Sequence, residues 1–244
     1  MENQNNTKKQ SVRIQTSLLN GVEKKALVWM AGKLPPSVNS DMLTALGVVG
    51  AVMIFVGYVL SGVNINWLWL ASAGFVVNWI GDSLDGTIAR VRHQQRPRYG
   101  FFLDHNVDCI NETLMFLGLG LSPLMKFSSA LLVLAAYLIL SVYVYINAHL
   151  KGEFKLTYAK LGPTEMRVIA IIANTLFIFV PAFRNWTWNF NTIGGEYAEF
   201  KILDIVALVI FVAIMVAYFV NFIRDAKILG KEDPRPEYKP EENK

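Results

Sequence analysis

The chain has 244 residues, 53% hydrophobic and 17% charged, with a net charge of +4. Its apolar residues come in long blocks, which excludes a soluble globular core and indicates a polytopic membrane protein. A single cysteine, Cys109, excludes an intrachain disulfide, and basic residues that follow the gaps between blocks give nucleic-acid binding no support.

Residues 1–16 form a polar arm without an apolar h-region, so no cleavable signal peptide is expected. Within 17–36, Leu18, Leu19, Val22, Ala26, Leu27, Met30 and Leu34 recur at helical spacing, with Glu23, Lys24, Lys25 and Lys33 elsewhere. This pattern reads as an amphipathic helix in the cytoplasmic interface, the alternative being a helix docked on the protein itself. Pro35 and Pro36 end it, and Ser40 or Asp41 is expected to cap the helix of the first apolar segment.

Residues 37–228 hold six apolar segments, near Leu43–Gly62, Trp67–Ile88, Phe101–Leu121, Ser129–Leu150, Glu165–Phe183 and Ile202–Ile223. Each reaches the roughly 20 residues needed to cross about 30 Å of hydrocarbon. The predicted fold class is an all-α integral membrane protein, six transmembrane helices preceded by the interfacial helix. Small residues in the first span (Ala45, Gly47, Gly50, Ala51) favour close helix contact. Trp186, Trp188, Tyr197 and Phe200 predict an aromatic belt on the outer face. The tail 229–244, rich in Pro, Glu and Lys, is expected to be disordered.

Lys and Arg are distributed unevenly. Six precede the first span, four follow the second, four cluster around the gap after the fourth, and six follow the sixth. The remaining gaps hold Lys126, Arg184 and Lys201. The positive-inside rule then places both termini in the cytoplasm.

That topology brings four aspartates to one depth. Asp82 and Asp85 end the second span, and Asp104 and Asp108 begin the third, each pair sharing a helix face. Ionised carboxylates just inside the boundary need neutralising, and charged residues there mark function. Arg90, Arg92, Arg96 and Arg98 lie mostly in the loop and cannot all reach two turns into the third span. Two hard divalent cations, Mg²⁺ or Mn²⁺, match both the oxygen donors and the charge. Such a two-metal site at the cytoplasmic face suits phosphoryl chemistry. Gly86 and Ala89 leave room for a flat nucleotide, and Arg90 can meet a phosphate oxygen bidentately. His105 and Cys109, each about 100° around the helix from an aspartate, read as packing residues.

Asp82-x2-Asp85-Gly86-x2-Ala89-Arg90, then Gly100-x3-Asp104-x3-Asp108, resembles the signature of the CDP-alcohol phosphotransferase family. The usual spacing between its Arg and second Gly is eight residues; here it is nine. The resemblance implies Asp82, Asp85, Asp104 and Asp108 as metal ligands, with Asp108 as ligand or as the base that deprotonates the attacking hydroxyl. It implies Asp82, Gly86, Ala89, Arg90 and Gly100 as the CDP site, two metal ions, and a reaction in which an alcohol attacks a CDP-alcohol and expels CMP. Homodimers are common in the family.

Leu43-Thr44 is followed by Ala45, Leu46 and Gly47, without the Arg often found in members that use glycerol 3-phosphate. The first reading is transfer of a phosphatidyl group from CDP-diacylglycerol to a polyol-type acceptor in phospholipid biosynthesis. The alternative is an aminoalcohol phosphotransferase using CDP-choline or CDP-ethanolamine with diacylglycerol, a branch whose members are usually longer. Candidate acceptor ligands are Arg167 and Glu112, the latter one turn below Asp108, where an isolated carboxylate costs roughly 3 kcal/mol. Tyr143, Asn147 and Glu165 lie on the same side of the membrane. A divalent cation transporter is the remote alternative; it predicts polar groups continuing outward, whereas Met115, Phe116, Leu117 and Leu119 follow Glu112.

Overall fold

A computed structural model describes residues 12–14, 20–151, 153–155, 162–191 and 197–235. The chain is mostly helical: α1 (Asn20–Lys33), α2 (Ser40–Leu60), α3 (Leu68–Val91), α4 (Pro97–Gly120), α5 (Phe127–Lys151), α6 (Pro163–Phe179), the short α7 (Pro181–Arg184) and α8 (Ile202–Glu232). Six long helices thus fall on the six apolar segments. By length and composition, α2, α5 and α8 are each apolar enough to cross a membrane.

Several boundaries differ from the sequence reading. Asn39, not Ser40 or Asp41, caps α2, its Oδ1 accepting the Met42 N–H at 2.9 Å. Helix α4 begins four residues before the apolar run because Pro97 occupies its first turn, where the missing N–H costs nothing. Helix α8 continues to Glu232, so residues 229–232 of the expected tail are helical, and 236–244 lie outside the described residues. Most of the arm 1–16 also lies outside them.

Two small ladders accompany the helices, which an all-α reading did not anticipate. Val12–Ile14 pairs in parallel with Glu153–Lys155. Between α7 and α8 a hairpin pairs Thr187–Asn191 with Tyr197–Lys201. There Trp188 pairs with Phe200 and Phe190 with Ala198, so strand alternation gathers apolar residues on one face.

The helices pack in the order α6, α3, α2, α4, α5, α8, with α2 lying against both α3 and α4, and α1 lying on α3. The α2–α3 seam is backbone against backbone. A Cβ at Gly50 would sit 2.3 Å from the Asn78 nitrogen, and one at Gly57 would sit 2.4 Å from the Ala71 nitrogen. From α3, a Cβ at Gly81 would come within 2.3 Å of the Gly47 nitrogen. Asn78, fully buried, donates its side-chain N–H to the Gly47 carbonyl at 2.9 Å. Small residues allow this approach where lipid offers no hydrophobic drive to association. Gly50→Ala is therefore expected to cost about 1–3 kcal/mol, the usual penalty of overpacking. Thermal unfolding in detergent checks it, and an unchanged midpoint would mean that the two backbones are not in contact.

Beyond the seam, Ile54, Tyr58, Leu68, Ala71, Phe75, Leu124 and Phe177 form one core. Within it the Tyr58 hydroxyl donates to Asn174 Oδ1 at 3.1 Å, and Asn174 Nδ2 donates to Ser72 Oγ at 3.2 Å. A second cluster docks α1: Leu27 and Ala31 pack on Leu43, Leu84 and Ile88. Val22 and Trp29, on another side of α1, are exposed.

Candidate active site

The site forms where α3 ends and α4 begins. After Val91 the chain reverses through His93, whose φ of 55° lies in the left-handed region, and Pro97 restarts it as α4. This reversal brings the acidic ends of the two helices together. Carboxylate oxygens of Asp82, Asp104 and Asp108 lie within 4.8 Å of one another, all three residues partly buried. Three hard oxygen donors at this spacing fit a divalent cation such as Mg²⁺ or Mn²⁺.

Asp85 is placed differently. It is buried, and its Oδ2 accepts the Thr44 hydroxyl at 2.7 Å, while its backbone carbonyl accepts from Ser40 Oγ at 3.0 Å. Its other oxygen lies against the Gly86 N–H of its own turn. The first turns of α2 thus orient Asp85 beside the three-aspartate group. Thr44 is a site residue that the sequence reading passed over. The available signal was its position one turn past Ser40, at the same depth as the aspartates.

The arginines divide as the loop argument expected. Arg92 donates to the carbonyls of Leu34 and Pro35 at 2.9 and 3.0 Å, and Arg96 pairs with Asp41. Both brace the connection between α1 and α2. Arg90 reaches back to Thr87 Oγ1 at 3.0 Å, and its guanidinium passes over Gly86, where a Cβ would stand 3.1 Å from it. A cation from α6 also meets the aspartates: Arg167 Nη2 is 2.7 Å from Asp82 Oδ2.

Ala89 lines a cavity of about 310 Å³ with Arg92, Gln94 and Arg96, at the capped start of α2. Nothing lies within 4 Å of where a Cβ at Gly100 would be, so the chain leaves open space there. His105 stacks on Phe101 at 4.0 Å and meets Tyr145 edge-on at 4.4 Å. Glu112, one turn past Asp108, has a buried Oε2 with no hydrogen-bond partner among the described residues. Tyr143 donates to Asp225 on α8, and Glu165 accepts the Gly162 N–H at 2.9 Å, so both have structural duties.

The carboxylates of α3 and α4 thus converge with a basic residue of α6 in a chain whose helices include three apolar enough to cross a membrane. A model of the CDP-alcohol phosphatidyltransferase family matches residues 38–221. The chain belongs to that family. It is a phosphotransferase of phospholipid biosynthesis, acting on CDP-alcohol substrates and membrane lipids with a divalent metal. No curated protein sequence matches the chain.

Proposed function

We propose that the enzyme moves a phosphatidyl group from CDP-diacylglycerol to a polyol-type hydroxyl acceptor at the cytoplasmic face, with release of CMP. In this reading six helices cross the bilayer, both termini are cytoplasmic, and α1 lies in the interface with exposed Val22 and Trp29 toward lipid. The observation that carries the acceptor assignment is Arg167, whose guanidinium α6 brings to Asp82. A charged donor there suits hydroxyl or phosphate oxygens, whereas a quaternary ammonium calls for aromatic faces or a carboxylate.

Asp82, Asp85, Asp104 and Asp108 would hold two divalent ions, Mg²⁺ or Mn²⁺. When bound, these supply positive charge that clamps the diphosphate and stabilises the departing CMP oxygen. Arg90, beside Gly86, and the cavity at Ala89 support CDP binding on the α2 side, with Gly100 leaving room across from it. Asp108 takes the proton from the acceptor hydroxyl. The acceptor oxygen then attacks the phosphorus that bears diacylglycerol, and the bond from that phosphorus to the bridging oxygen breaks, leaving CMP. Glu112 lies one turn deeper, where its unpartnered oxygen can accept an acceptor hydroxyl. Water competes as a nucleophile, and a site closed by helix ends and lipid reduces that loss.

The second reading, an aminoalcohol phosphotransferase, is favoured by the Phe101–His105–Tyr145 ring cluster next to Asp104. Purified enzyme with radiolabelled CDP-diacylglycerol and a panel of glycerol, inositol, serine and glycerol 3-phosphate separates the two. Arg167→Ala is expected to raise the acceptor KM roughly 10–100-fold, the loss of one hydrogen bond from a charged group. The KM for CDP-diacylglycerol should change little. Release of CMP from CDP-choline with diacylglycerol, and none from CDP-diacylglycerol with any alcohol, would reverse the donor assignment.

A further inference from the structure

The family match begins at residue 38, yet a carboxylate from before it reaches the site's supports. Glu23, on α1, shares a helix face with the docked Leu27 and Ala31. Its Oε1 accepts from Trp79 Nε1 at 2.9 Å, from Thr164 Oγ1 at 2.7 Å and from Ser83 Oγ at 3.4 Å. Trp79 and Ser83 flank Asp82 on α3, and Thr164 stands three residues before Arg167 on α6. Since Arg167 bonds Asp82, the contacts close a ring: Glu23 to α3, Asp82 to Arg167, and α6 back to Glu23. Meanwhile Glu23 Oε2 is buried without a hydrogen-bond partner among the described residues. Burying it that way costs stability, so packing alone does not favour a carboxylate here.

We infer that Glu23 is a positioning residue, a bracket on α1 that holds the Asp82–Arg167 pair by tying α3 to α6. Through it the docking of the N-terminal helix sets the geometry of the site. The inference rests on the acceptor reading of Arg167 for one of its two readouts. The other, half-saturation by Mn²⁺, reports on Asp82.

The test uses full-length enzyme in proteoliposomes with CDP-diacylglycerol and whichever alcohol of the panel gives turnover. Thr164→Val removes one donor at nearly constant shape, and Trp79→Phe removes the indole N–H while keeping a smaller aromatic ring, so they report even where Glu23→Ala fails to fold. Thr164→Val should raise the acceptor KM, and Trp79→Phe the Mn²⁺ needed, each by roughly tenfold, at the low end for lost outer-shell orientation. Glu23→Ala should do both, and Glu23→Gln should stay near wild type, because its amide oxygen still accepts. In an Arg167→Ala background, Thr164→Val should add nothing to the acceptor KM, as coupled sites do not add. Folded Thr164→Val and Trp79→Phe with both readouts unchanged would overturn the bracket, as would Glu23→Gln as damaging as Glu23→Ala. If Arg167→Ala itself leaves the acceptor KM unchanged, the acceptor reading fails. The Mn²⁺ response of Trp79→Phe and Glu23→Ala then decides the bracket alone.

Discussion

Asp104→Asn is expected to abolish phosphatidyl transfer in protein that still folds. Asp104 stands on α4 with its carboxylate within reach of both Asp82 and Asp108, so it is shared by whatever the three oxygens hold. An amide there removes one negative charge and one anionic donor while keeping the shape, so packing survives and ion binding does not. A misplaced diphosphate then leaves the reacting phosphorus out of line with the attacking oxygen, and small misplacements cost about 10²-fold or more. Asp85→Asn should be equally damaging by another route, since the Thr44 hydroxyl aligns that carboxylate at 2.7 Å. Activity in excess EDTA, or near-normal turnover of either variant, would refute the metal-site reading.

Asp108→Asn should behave differently from its neighbours. As the base, Asp108 contributes in the transition state, where positioned proton transfer is worth roughly 10²–10⁴-fold in rate. Turnover should therefore fall by that factor, while binding of CDP-diacylglycerol falls much less. The measurement is kcat together with direct binding of the CDP-lipid. Equal losses in both would make Asp108 chiefly a ligand and leave proton removal to another group.

The convergence of Asp82, Asp104 and Asp108 was legible because helical spacing acts locally and survives folding intact. Six long helices were legible for the same reason. Boundaries failed where a single residue overrides hydropathy: Pro97 starts α4 before the apolar run, and Asn39 supplies the oxygen that Ser40 and Asp41 do not. Glu23 was read as part of a polar face, because nothing near it in sequence reveals Thr164, 141 positions away. Arg167 was picked out by depth alone, and its partner Asp82 could not be, since pairing across 85 positions is a tertiary fact. The hairpin after α7 was hidden by the aromatic content that made it read as a belt.

The seam between α2 and α3 has a consequence for the spacing of the carboxylates. Helix α2 contributes none of the clustered carboxylates, yet it lies between the helix that carries Asp82 and the one that carries Asp104 and Asp108. On one side Gly81 lets α3 touch it, and a Cβ at Gly47 would come 3.5 Å from the Asp82 nitrogen; on the other, Gly118 of α4 presses on Phe55. The thickness of α2 therefore works as a caliper that gauges the gap the oxygens must span. A methyl added at Gly81 would wedge α3 outward and carry Asp82 with it, away from Asp104 and Asp108. The spacing of the clustered carboxylates is then held in glycines that never touch them.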